Sequence, residues 1–84
     1  MTQLDKLRNR FLSRPKDFTW VELSRLLIDL GYKETQAGKT SGSRVRFVHP
    51  EHSPICLHKP HPRPIVKEYV IKLVLDALKA RGQL

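Results

Sequence analysis

Four histidines, His49, His52, His58 and His61, are the side chains of this 84-residue chain that exchange a proton near neutral pH. Sixteen Lys and Arg stand against eight Asp and Glu, for a formal net charge of +8. Such an excess draws anions, and an arginine can grip a phosphate through two parallel N–H bonds. An imidazole beside a guanidinium is acid–base equipment that works on a phosphodiester without metal: the histidine moves the proton and the arginine steadies the developing charge. Being always protonated, the arginine cannot itself act as the base. The single cysteine, Cys56, excludes an internal disulfide and leaves a Cys-x-x-Cys metal cluster unsupported, so no cofactor is expected. Gly38-Lys39-Thr40 is not a phosphate-cradling loop, because the first glycine of that motif and the helix after it are both missing.

Positioning these groups is the task of a few short elements. Leu4, Leu7 and Phe11 recur at helical spacing before Pro15, which predicts a short helix over Leu4–Leu12 or else an arm. Thr19 and Glu22 form a capping box ahead of Leu23, Leu26, Leu27 and Leu30, with Gly31 placed to end the helix in a left-handed turn. A strand is expected over Tyr32–Gln36, then a turn through residues 37–43. Arg44–Val48 alternates, with Val45 and Phe47 on one face and Arg44 and Arg46 on the other. After the turn holding Pro50 and Pro54, Ile55–His58 alternates again, Ile55 and Leu57 inward and Cys56 and His58 outward. Pro60, Pro62 and Pro64 exclude a central strand and predict a stiff exposed loop. A last helix over about residues 66–81 carries Val66, Tyr69, Val70, Leu73, Val74, Ala77 and Leu78 as its apparent apolar stripe, closed by Gly82.

These elements predict an α+β fold, α-β-β-β-α, with two helices on one face of a three-stranded antiparallel sheet and a short helical extension in front. Residues 1–17 form the extension and 18–84 the domain. The opposite sheet face is left to solvent, with Arg44, Arg46, Cys56 and His58 upon it by parity. A basic face on so small a domain points to nucleic acid, bound mainly through phosphate because six aromatics allow little base stacking. Lys39, Ser43, Arg44, Arg46, Lys59, Arg63 and Lys67 are the expected contacts, the last near a helix start that favours phosphate. A free cysteine suits a reducing cytoplasm, and no apolar run reaches the about 18 residues that span a bilayer. The N-terminus has no signal-peptide core, so a full-length cytoplasmic protein is expected.

The helix ending at Leu30-Gly31-Tyr32, the Gly42-Ser43 turn before a basic strand, Val48-His49-Pro50 and Lys59-Pro60-His61-Pro62 before the last helix resemble the HicA family of bacterial toxins. The resemblance covers roughly residues 18–81 and implies a double-stranded-RNA-binding-like fold. It also implies a metal-independent ribonuclease acting on messenger RNA, so inhibiting translation, neutralised by a HicB antitoxin encoded beside it. Family members usually carry a catalytic histidine at the start of the strand after the Gly-Ser turn, whereas this chain reads Gly42-Ser43-Arg44-Val45-Arg46-Phe47. A gapless alignment puts Val45 at that position, while parity favours Arg44. His58 as base with Arg44 as electrophile is then a coherent site, against the alternative that His58 is an ordinary exposed strand residue. His61 matches the histidine of the family's Pro-His-Pro segment, and either belongs to the site or packs the loop against the last helix. His49 and His52 read as turn residues. Two further functions stay open: an RNA-binding module of the same fold without chemistry, and a basic domain that docks an acidic protein.

Overall fold

Thr19 opens the first long helix as its capping box requires. In the computed structural model, which describes residues 3–36, 44–60 and 63–84, the Thr19 hydroxyl oxygen accepts the Glu22 N–H at 3.2 Å and Glu22 Oε1 accepts the Thr19 N–H at 3.0 Å. Two of the orphan donors of the helix start are thereby satisfied. This helix, α2, spans Trp20–Asp29 and follows α1, Gln3–Leu12. Gly31 ends the turn after α2 with φ of +101°, and a Cβ there would stand 2.8 Å from His49 Nε2, so both backbone and space require glycine. The strands β1 (Lys33–Gln36), β2 (Arg44–Val48) and β3 (Ile55–His58) form one antiparallel sheet in the order β1-β2-β3, and α3 spans Glu68–Ala80. The expected α+β architecture is therefore the observed one, with β2 and β3 bounded as the alternation predicts.

The core gathers between the sheet and the helices. Trp20, Leu23, Leu26 and Leu27 of α2 and Ile71, Val74, Leu75 and Leu78 of α3 are buried with Phe47, Ile55 and Leu57 of the sheet. The Trp20 and Phe47 rings meet at 5.9 Å between centroids. α1 takes part in this core: Phe11 has no exposure and packs on Phe18 at 5.4 Å. Outside the core, Arg10 on α1 donates to Glu22 Oε2 at 2.8 Å and to Asp17 Oδ1 at 3.0 Å. Burial pushes the Glu22 carboxyl up, but Arg10 together with the backbone and side chain of Thr19 outweighs it, and the group ends below its ordinary value.

Tyr69 and Leu73 depart from the expected stripe. They are 68 % and 60 % exposed, while Ile71 and Leu75, absent from that stripe, are buried. α3 is apolar around more of its circumference than one face, and the side turned inward is decided by where its start is anchored. The Val66 N–H donates to the Phe18 carbonyl at 2.8 Å and the Trp20 N–H to the Pro64 carbonyl at 2.8 Å, an antiparallel bridge at Thr19 and Ile65. That bridge holds Val66 extended, so the helix begins at Glu68 rather than near 66. At the other end Arg81 donates to the Tyr32 hydroxyl at 2.7 Å and to the Ser53 carbonyl at 2.9 Å, tying the end of α3 to the edge of the sheet where β1 and β3 begin.

Candidate nucleic-acid interface

Residues paired directly across antiparallel strands share a face, so the register assigns every strand side chain to a side. Glu34, Phe47 and Ile55 form one cross-sheet row and Val45 and Leu57 another, both on the side of the helices. Thr35, Arg46 and Cys56 form a row on the opposite side, flanked by the pair Arg44–His58 and the pair Lys33–Val48. This face is open: Arg44, Arg46, Cys56 and His58 are all exposed. Its strand residues include Lys33, Arg44 and Arg46 and no carboxylate, since Glu34 lies on the other side within reach of the Ser24 hydroxyl, which donates to it at 3.3 Å.

Arg44 and His58 are direct cross-strand partners. Such pairs have Cβ atoms about 4.5–5.5 Å apart, so an imidazole and a guanidinium can engage one phosphodiester together. Among the described residues neither Arg44 nor Arg46 is in an ion pair, and Arg10 is the cation engaged by Asp17 and Glu22. The Thr35 hydroxyl donates to the Arg46 carbonyl at 3.2 Å, bracing the middle row where β1 meets β2.

The remaining basic residues are grouped around the start of α3. Arg63 and Lys67 line a hollow with Lys16, Pro60 and Glu68, and Lys67 also lines a groove that runs past His58 and Lys59. Lys67 is the N-cap of α3 and, having no acceptor, makes no side-chain capping bond to the first N–H groups of the helix. Lys59 lines that groove and also a hollow beside Trp20, Val21 and Arg25 on α2. Lys39, Ser43 and His61 lie outside the described residues. His49 stacks edge-on to Tyr32 at 4.9 Å and lies 4.6 Å from the His52 ring, and its Nδ1 accepts the Glu51 N–H at 3.0 Å, which makes it a packed turn residue.

Lys33, Thr35 and Lys16 were not among the residues expected at the surface from sequence. Lys33-Glu34-Thr35-Gln36 is polar throughout, and only its pairing with β2 shows which two side chains join the open face. Lys16 comes beside Arg63 and Lys67 through the bridge at Thr19 and Ile65, a contact between distant parts of the chain.

Fold and face together define a small α+β protein with two helices over one side of a three-stranded sheet and a basic, solvent-facing side opposite. Residues 20–80 match the family described as HicA toxin of bacterial toxin–antitoxin. The chain belongs to that family. Comparisons with curated proteins and with solved structures each gave no significant match. No helix among the described residues is long and apolar enough to cross a membrane.

Proposed function

We propose that this chain is the RNA-directed toxin of its toxin–antitoxin pair, an endoribonuclease that works without metal on the open face of the sheet. The observation that carries the reading is the direct pairing of Arg44 with His58 on an exposed face whose strand residues include three cations and no carboxylate. Phosphates of a single strand lie along Lys33, Arg44 and Arg46, and extend toward Arg63 and Lys67. Neutral His58 takes the proton of a ribose 2′-hydroxyl, and the oxygen attacks the adjacent phosphorus. Arg44 holds the non-bridging oxygens as negative charge builds on them. The bond to the 5′-oxygen breaks, that oxygen takes a proton from the acid, for which His61 is the candidate, and a 2′,3′-cyclic phosphate and a 5′-hydroxyl result. A HicB-like antitoxin is the expected neutralising partner, and messenger RNA the expected target.

The test uses the full chain with labelled single- and double-stranded RNA in EDTA. His58→Ala is expected to slow cleavage by about 10²–10⁴-fold, the usual worth of a positioned base, while RNA binding stays within a few-fold of the parent. Arg44→Ala should lower both cleavage and affinity. Cleavage that survives both substitutions refutes the site. Arg44 and Val45 stand where a family histidine is usual, which favours a second reading in which RNA is bound and not cut. Binding with steep salt dependence and intact RNA in every lane would establish that reading instead.

A further inference from the structure

α3 leaves two large apolar side chains in solvent, Tyr69 and Leu73, one helical turn apart. They do not stand on a flat surface. With Val66, Val70 and Pro60 they form one wall of a groove of about 330 Å³ whose other wall is β3. Cys56, Leu57 and His58 all line it. Successive strand residues point to opposite faces, so three in a row border one groove only where the long edge of the strand faces it. β3 is the last strand of the sheet and among the described residues pairs with β2 alone, which leaves the backbone donors and acceptors of its outer edge available to a further strand. The strand carries neither proline nor bulge to discourage pairing. Charge adds a sign: among the described residues Lys59 and Lys67 line the groove and no Asp or Glu does.

We propose that this groove receives an extended segment of a partner protein, one that alternates apolar and acidic residues and adds to β3 as a fourth strand. Its backbone completes the ladder on the β3 edge, its apolar side chains settle on Tyr69, Val70 and Leu73, and its carboxylates meet Lys59 and Lys67. RNA suits the groove less well, since it has no N–H and C=O groups spaced to join a strand ladder. A second copy of this chain would bring Lys59 and Lys67 toward their own equivalents within a molecule of net charge +8. Tyr69 and Leu73 lie on α3 and not on the open sheet face, so the anchors of the docking site are distinct from the RNA surface, although His58 and Lys67 border both.

The probe is a synthetic peptide of about eight residues alternating Val with Glu, long enough to span the strand, titrated into the isotope-labelled full chain. Saturable shifts of the amide resonances of Cys56–His58 and Tyr69–Leu73 are expected. Leu73→Ser and Tyr69→Ser, both at exposed positions, should each weaken the peptide by roughly tenfold, as truncating an anchor does, and leave RNA affinity unchanged. A peptide N-methylated along its pairing edge should lose binding to a similar degree. The proposal is overturned if no saturable shift appears, if a Val–Lys peptide binds as well, or if the serine variants bind as the parent does. A dimer that Leu73→Ser dissolves would assign the groove to a second copy, and single-stranded RNA shifting the Tyr69–Leu73 amides in place of the peptide would assign it to nucleic acid.

Discussion

Removing Arg46 should flatten the salt dependence of RNA binding by about one phosphate contact. Each phosphate neutralised on a single strand contributes roughly 0.7 to the slope of log affinity against log salt. The open sheet face offers three fixed cations, Lys33, Arg44 and Arg46. A footprint confined to them gives a slope of about −2.1, so raising salt from about 50 to about 200 mM weakens binding roughly 18-fold. If the strand continues to Arg63 and Lys67 at the start of α3, five contacts give about −3.5 and a loss of roughly 130-fold over the same range. The two footprints are thus separable by fluorescence anisotropy with a labelled single strand at four or five salt concentrations. Arg46→Ala should move the slope by about 0.7 toward zero for RNAs of any sequence, because a phosphate contact carries no base information. Arg63→Ala should do the same only in the longer footprint. An Arg46→Ala slope equal to that of the parent would refute the open face as the RNA surface, whatever its affinity.

Other substitutions test the fold that positions this face. Phe11→Ala should remove about 3–5 kcal/mol in urea melts, a large part of the roughly 5–15 kcal/mol that a domain possesses, because its ring is wholly buried against Phe18. A loss below about 1 kcal/mol would show α1 to be an appendage. Leu27→Ala should fall in a similar range of about 2–5 kcal/mol, whereas Leu73→Ala, at an exposed position, should stay under about 1 kcal/mol, and the reverse order would mean α3 is turned the other way. Glu22 titrates lower in the folded chain than its ordinary 4.5, so its contribution is present above that pH and is lost as pH falls through the folded value. Glu22→Gln should therefore be less stable than the parent at neutral pH and approach it in acid, and a difference independent of pH would show that Arg10 and Thr19 do not hold the carboxylate.

The elements legible in the sequence are those whose signals are local. α2 is announced by Thr19 and Glu22 at its start and Gly31 after its end, and each of these acts within a turn of its own position. β2 and β3 are legible because strict alternation leaves one register compatible with a buried Phe47, Ile55 and Leu57, and the same alternation exposes Arg44, Arg46 and His58. α3 is different. Val66, Val70, Val74 and Leu78 make one apolar stripe and Ile71, Leu75 and Leu78 another, so periodicity cannot say whether Tyr69 and Leu73 or Ile71 and Leu75 face the core. The bridge between Thr19 and Ile65 decides it, and that bridge joins residues more than forty positions apart. For the same reason the hollow shared by Lys16, Arg63 and Lys67 was not legible, nor were Lys33 and Thr35, whose strand has no apolar residue to mark a side.

The sheet register also bears on what the missing family histidine means. Val45 pairs with Leu57 on the side of the helices, so an imidazole at that position would enter the core rather than reach substrate. Arg44, one residue earlier, stands on the open face opposite His58. On the proposed reading a phosphate held at Arg44 meets an imidazole supplied by the neighbouring strand, and proton transfer and charge stabilisation are divided between β3 and β2. That division has a consequence for control. His58 borders both the open face and the groove beside α3, so a strand added along β3 would pass beside the candidate base itself. Occupation of the groove and access of RNA to His58 would then compete directly, without any change in the conformation of the sheet.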